Sequence, residues 1–305
     1  MALITPPFLQ KKDKVAIICM AGKTTLQTIE LAIQILESWG LQVIVGETVG
    51  SVDGVFGGDD NLRKKDFQTY LNDPEIIAIF SARGGYGSTR ILDQIVWGEF
   101  QKNPKWIVGF SDITAVISQI NNIGMEAIHG PMPKMLGNLG TEKSVDYLKK
   151  ILFHKPINYQ IKYHKNNKLG HVKAEIVGGN LCMLAHSIGS KSEINTESRI
   201  LFIEDVSEYY YNIDRMLLQL KRAGKFEKLK GLIVGHFTDC KDNDNPFDKS
   251  VEEIVLDQTE GYDFPIAFGF PVGHENENWP IICGREVEFV VSEKSVSLKF
   301  ENNEK

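Results

Sequence analysis

The stretch Trp106–Ile120, WIVGFSDITAVISQI, carries two structural signatures end to end. Trp106–Phe110 is an apolar, strand-like run, and Ile113–Ile120 reads as a helix. Between them stand Ser111 and Asp112. A strand that stops at a serine and turns at once into a helix displays the hydroxyl on a sharp corner. The same corner aims the following backbone N–H groups at one point. That is how a nucleophilic serine is presented, and it presupposes the strand–helix unit of an α/β fold.

Working outward, the same alternation fills the first half. Lys14–Ala21, Leu41–Gly46, Ile76–Ala82 and Ala127–Pro131 read as strands, and Thr24–Trp39, Asp59–Leu71 and Ser88–Trp97 as helices. Strands alternating with helices imply βαβ units and a mostly parallel sheet, here a Rossmann-like or flavodoxin-like domain over 1–155. Ligands of such sheets bind beyond the carboxyl ends of the strands, where the loops after Ala82 and Phe110 can line one cleft. The polar stretch Lys162–Gly170, KYHKNNKLG, predicts a linker over 156–170. Beyond it, 171–305 reads as a β-rich α+β domain. It has strands at Val172–Val177, Arg199–Ile203, Gly231–Phe237 and Ile266–Phe270, helices at Tyr211–Ala223 and Val251–Asp257, and a terminal hairpin, Glu286–Ser292 with Ser295–Phe300.

A chain of 305 residues supports two such domains. Its formal net charge of −6 argues against a nucleic-acid partner, because neutralising phosphates needs clustered Lys and Arg. No stretch approaches the roughly 20 apolar residues of a membrane span. Val15–Ala21 follows Lys11, Lys12 and Lys14 but is too brief for a signal segment, and Ile18 spoils a lipid-attachment site at Cys19. A cytoplasmic protein with no membrane partner is expected. Cys19, Cys182, Cys240 and Cys283 lie far apart without CxxC spacing and read as free thiols. Asp205, Glu208, Asp239 and Asp263 form no recognisable metal loop, so neither a metal nor a cofactor is expected.

A serine hydroxyl needs a base, and the base needs an orienting group. Glu204 ends the apolar run Ile200–Glu204, and His274 follows the strand Ile266–Phe270 and a Pro271 turn. The order Ser, Glu, His is one that hydrolases use, although Ile113 stands where a GxSxG elbow would need glycine. Each residue also has a plainer reading: Ser111 as a helix N-cap, His274 as a turn histidine, Glu204 and Asp205 as surface ion-pair partners. Arg83-Gly84-Gly85-Tyr86-Gly87-Ser88 follows a strand and precedes a helix, and its glycines let backbone N–H groups approach a developing oxyanion. Ser88 is a rival nucleophile there. Gly22-Lys23-Thr24-Thr25 imitates a phosphate loop but has Ile17 where the first glycine belongs.

Taken in order, RGGYGS (Arg83–Ser88), GFSDIT (Gly109–Thr114), HGPM (His129–Met132), GGNL (Gly178–Leu181), LFIEDVSE (Leu201–Glu208), RMLLQL (Arg215–Leu220) and Gly273-His274 resemble the LD-carboxypeptidase family of serine peptidases, the muramoyltetrapeptide carboxypeptidases. The resemblance implies Ser111 as nucleophile, His274 as general base and then acid, and Glu204 as the acid that supports the imidazole. It implies an oxyanion hole made by the backbone N–H of Asp112 with that of Gly85 or Tyr86. It also implies a homodimer with the site between two domains, hydrolysing the L,D-amide that holds the terminal D-alanine of a murein tetrapeptide. Arg83 and Arg215 are candidates for the substrate carboxylate. Two alternatives stand beside this. One is a microcin-immunity-type peptidase cleaving an aminoacyl or peptidyl nucleotide analogue, with Trp279 or Tyr209–Tyr211 as platform for the base. The other is a non-catalytic murein-peptide-binding protein.

Overall fold

In the computed structural model, which describes residues 3–301, the first half runs β1 (Lys14–Ile18), α1 (Leu26–Ser38), β2 (Gln42–Val45), α2 (Asp60–Asn72), β3 (Ile76–Ser81), α3 (Ser88–Leu92), α4 (Gly98–Lys102), β4 (Trp106–Gly109), α5 (Thr114–Asn122), β5 (Ala127–His129) and α6 (Glu142–Leu152). Strands β1 to β5 are parallel in the order β5-β4-β3-β1-β2. Ile17, Ile79, Phe80, Ile107 and Val108 are fully buried, as strands covered by helices on both faces require. The chain leaves β1 for β2 on one side and returns to β3 on the other. That reversal opens a crevice at the carboxyl ends of β1 and β3, the place where ligands of open α/β sheets bind. The helix expected over Ser88–Trp97 stops at Leu92. Gln68 of α2 grips the backbone of Val96 from both sides (Val96 N to Oε1 2.8 Å, Nε2 to Val96 O 2.9 Å), a tertiary tie that replaces helical bonding.

The second half runs β6 (Asn158–Lys162), β7 (Gly170–Asn180), α7 (Leu181–His186), β8 (Ile200–Val206), α8 (Tyr210–Arg222), β9 (Gly231–Thr238), α9 (Val251–Gln258), β10 (Ile266–Phe268), β11 (Ile281–Cys283), β12 (Glu286–Val291) and β13 (Ser295–Phe300). Its sheet, ordered β10-β9-β8-β7-β12-β13-β6, is parallel from β10 to β7 and antiparallel from β12 to β6. Two features depart from a simple two-domain chain with a linker. Asn158–Lys162, inside the stretch expected to link, is edge strand β6, because Tyr159 and Ile161 alternate inward and Tyr159 is fully buried. Strand β11 leaves the second half and pairs antiparallel with β5, completing the first sheet.

The halves therefore interlock and share one core. On β8, Ile200 and Phe202 join the same buried cluster as β1, β3 and β4, while Leu201 and Ile203 face the cluster built with α7, α8 and α9. Ile233 and Leu232 of β9 divide in the same way. A sheet buried on both faces has little freedom to shift. The carboxyl ends of its strands are thereby held against those of the first sheet.

Candidate active site

Ser111 follows β4 with φ of 64° and opens a 3-10 turn, Ser111–Ile113, that leads into α5. A left-handed serine costs roughly 1–3 kcal/mol and persists only where its surroundings enforce it. One such surrounding is Gly84: a Cβ there would sit 2.8 Å from Ser111 Cβ and 3.0 Å from its Oγ. The glycine loop after β3 thus lies directly against the hydroxyl. The serine is not a helix cap: Phe110 stands at the N-cap of the 3-10 turn and Ile113 at that of α5.

Ser111 Oγ instead lies 3.0 Å from His274 Nε2, and His274 Nδ1 lies 2.6 Å from Glu204 Oε2. Nδ1 donates to a carboxylate that can only accept, so Nε2 is left to accept from the hydroxyl. The Glu204 side chain has no exposed surface and that of His274 is 17% exposed. Burial disfavours the imidazolium, but the hydrogen bond and charge of Glu204, joined by the charge of Asp205, outweigh it and lift His274 above its ordinary value. Glu204 is therefore not a surface ion-pair partner, and neither is Asp205, which is buried beside it. Burial and then the Glu204 charge push the Asp205 carboxyl up to about 7, against three N–H donors that favour its charged form.

The His274 loop is clamped at both ends. Trp279 N donates to Pro271 O (2.7 Å), Gly273 N to Asn278 Oδ1 (3.0 Å), and Asn278 N to Ser144 Oγ (2.9 Å). Beneath the imidazole, the Phe110 ring lies 4.8 Å from that of His274 and 5.6 Å from that of His129, which in turn meets Phe202 at 5.0 Å. His129 is fully buried with neither ring nitrogen hydrogen-bonded to protein. Burial, then the neighbouring His274, hold it down to about 3, so it stays neutral.

The other expected residues divide. Asp112 is buried and its Oδ2 accepts from Ser88 N (2.8 Å); burial raises its carboxyl despite the Ser88 bonds. Ser88 is also fully buried and its Oγ donates to Asp112 O (2.9 Å), which ties the two loops together and removes it as a nucleophile. Gly85 and Tyr86 follow Gly84 on the exposed lip of the cleft, Tyr86 being 53% exposed. Arg83 Nη1 donates to Lys23 O (3.1 Å), and Gly22 N to Gly84 O (2.9 Å), so the loops after β1 and β3 meet at the crevice. Lys23 itself bonds Gly54 O at 2.7 Å. Arg215, on α8, stacks over the Tyr211 ring (5.0 Å) and not on the serine, histidine or glutamate. Trp279 is 2% exposed among Tyr147, Tyr159 and Phe270, with Lys143 over its face, and offers no platform to a base. Among the described residues no group of three or more His, Cys, Asp or Glu is arranged to hold a metal. His129 and Asn180 carried a signal in HGPM and GGNL, but nothing in those short runs told which neighbours they would meet.

A hydroxyl bonded to an imidazole, itself bonded to a buried carboxylate, is an arrangement for acyl transfer. Comparison with known proteins identifies the family. Residues 15–130 match the LD-carboxypeptidase N-terminal domain and residues 173–289 the LD-carboxypeptidase C-terminal domain. The chain is 31% identical to the probable murein peptide carboxypeptidase of Bacillus subtilis, over 96% of this chain and 94% of that one. It is 25% identical to the microcin C7 self-immunity protein of Escherichia coli, over 87% and 86%. The crystal structure of a muramoyltetrapeptide carboxypeptidase from Oxalobacter formigenes superposes with a TM-score of 0.86 at 26% identity, covering 95% of this chain and 99% of that one. The chain belongs to the LD-carboxypeptidase family of serine peptidases.

Proposed function

We propose that this protein releases the terminal D-alanine from murein tetrapeptides, as a cytoplasmic homodimer recycling cell-wall peptides. The observation that carries the reading is the continuous hydrogen-bonded series Glu204–His274–Ser111, at 2.6 and 3.0 Å. Ser111 Oγ attacks the carbonyl of the L-centre while His274 Nε2 takes its proton. Glu204 stabilises the imidazolium that results. The oxyanion lies between the backbone N–H of Asp112 and that of Gly85 or Tyr86, a role supported by the contact of Gly84 with the serine. His274 then protonates the departing amine of D-alanine. Water, activated by the same imidazole, hydrolyses the acyl-enzyme. Arg83, beside Gly84 at the crevice, is the better placed of the two arginines to meet the substrate carboxylate, because its guanidinium already lies against the loop after β1.

Mass analysis of a mixed pool of murein peptides after incubation tests this. Tetrapeptides should lose one alanine while tripeptides stay intact; an unchanged tetrapeptide pool beside an enzyme that reacts with a fluorophosphonate would overturn the substrate assignment. The kinship with the microcin C7 self-immunity protein favours a second reading, cleavage of an aminoacyl nucleotide analogue. Only Tyr209 and Tyr211, exposed with rings 5.7 Å apart, remain as platforms for a base. An aminoacyl sulfamoyl adenosine offered in competition with the tetrapeptide separates the two.

A further inference from the structure

Ser111 follows a strand of the first sheet, Glu204 lies on the second, and His274 sits in the loop that runs from β10 of the second sheet to β11 of the first. The 3.0 Å contact between hydroxyl and imidazole therefore depends on how accurately the two sheets are held together. One polar connection runs from the serine corner to the strand beside Glu204. Asn180 N donates to Thr114 Oγ1 (3.1 Å), and Thr114 lies three residues beyond Ser111 at the start of α5. Asn180 ends β7 and is the register partner of Glu204 on β8. Its side chain is fully engaged: Oδ1 accepts from Met183 N (3.1 Å), so the amide is oriented to donate Nδ2 to Asp205 Oδ1 (2.8 Å). Asp205 is then fixed by Val206 N and Cys182 N, both at 2.8 Å.

The backbone is shaped to admit this connection. Gly179 has φ of 147°, and a Cβ there would lie 2.5 Å from Thr114 Oγ1 and 2.6 Å from its Cγ2. Any side chain at 179 would push the serine corner away from β7. All three polar residues are buried, so each lost bond leaves an unpaired group.

We infer that Thr114, Asn180 and Asp205 are positioning residues, a latch between the sheets that sets the Ser111–His274 distance and so governs the acylation step. The inference rests on the proposed serine mechanism, but its test need not depend on the murein substrate. Phosphonylation of Ser111 by a fluorophosphonate measures the reactivity of the hydroxyl whatever the natural peptide is. Thr114→Val keeps shape and removes the acceptor; Thr114→Ser keeps the acceptor. Asn180→Ala cuts the tie to Asp205 while leaving the backbone donor in place.

Labelling of Thr114→Val should slow by about tenfold to a hundredfold, the scale expected of a displaced reacting group, and Thr114→Ser should recover to within about threefold of the parent. Where the parent cleaves tetrapeptide, kcat should fall with labelling while KM stays within about twofold, since all three latch residues are buried. Asn180→Ala, folded by circular dichroism, should label slowly as well. A Thr114→Val protein that folds and labels at the parental rate overturns the latch; if it fails to fold, Asn180→Ala labelling at the parental rate does so. A parent that labels but leaves tetrapeptide untouched overturns the substrate reading alone.

Discussion

Glu204→Gln keeps the shape of the side chain and an oxygen for the imidazole N–H, but removes a full charge from a residue with no exposed surface. The charge matters only once Ser111 has given up its proton and the ring is cationic. With charge centres about 4 Å apart and an effective dielectric of about 20, the lost attraction is about 4 kcal/mol. That corresponds to about three decades in rate. We expect kcat for D-alanine release to fall about a thousandfold, with KM within about threefold, because the glutamate does not meet substrate. The pH profile supplies a second readout. His274 is lifted above its ordinary value by Glu204 and Asp205, so the acidic limb of kcat/KM in the parent lies above that value. In the variant the charge of Glu204 is gone, only a neutral acceptor remains, and the limb moves to lower pH. Stability follows the same sign: with a raised folded value, the contribution of His274 is full below the ordinary histidine range and is lost as pH rises through the folded value. The variant should lack that loss. Released D-alanine is measured through D-amino acid oxidase, with denaturant unfolding as the control for fold. A folded variant that stays within about tenfold of the parent in kcat, or whose acidic limb does not move, would refute the reasoning.

Gly84→Ala should slow fluorophosphonate labelling by at least about tenfold while the melting temperature stays close to the parent's, because the new methyl meets the serine side chain and not the core. Ser88→Ala should retain activity within about threefold and lose about 1 kcal/mol in urea unfolding, as a loop tie and not a nucleophile; loss of acylation would reverse that assignment. His129, held down to about 3 by burial and by His274, leaves the unfolded chain binding more protons below the ordinary histidine value. Stability is therefore full above that value and falls by up to about 1.4 kcal/mol per pH unit below it. His129→Leu should flatten this acid slope, and an unchanged slope in acid denaturation would count against a neutral buried imidazole.

Much of this was legible in the chain. Apolar runs such as Trp106–Phe110, each followed by a helical stretch, identify the parallel sheet, and the serine between two such signatures locates the corner. The three distant side chains could be named from strand ends, because a carboxyl end of a buried strand is where polar groups gather. What stayed hidden was non-local. Ile281–Cys283 has no local feature that assigns it to the sheet of the other half. Asn158–Lys162 is too polar to announce an edge strand except through Tyr159. Ser88 and Ser111 look equally exposed as letters, and only packing against Asp112 separates them. The helix ending at Leu92 yields to Gln68, a residue outside its own segment. Trp279 reads as a free aromatic surface until Tyr147, Tyr159 and Phe270 enclose it.

The return of Ile281–Cys283 to the edge of the first sheet bears on how the protein is made. A nascent chain that has produced the serine corner still lacks the strand beside β5, and also the base, which precedes that strand by a few residues. Closing pairings so distant along the chain is entropically slow, so folding waits for the last tenth of the polypeptide. An unfinished or prematurely terminated product therefore carries a nucleophile without an activator. Cutting the chain near its middle should likewise yield fragments that must reassemble together to become hydrolytic, never a self-sufficient catalytic piece.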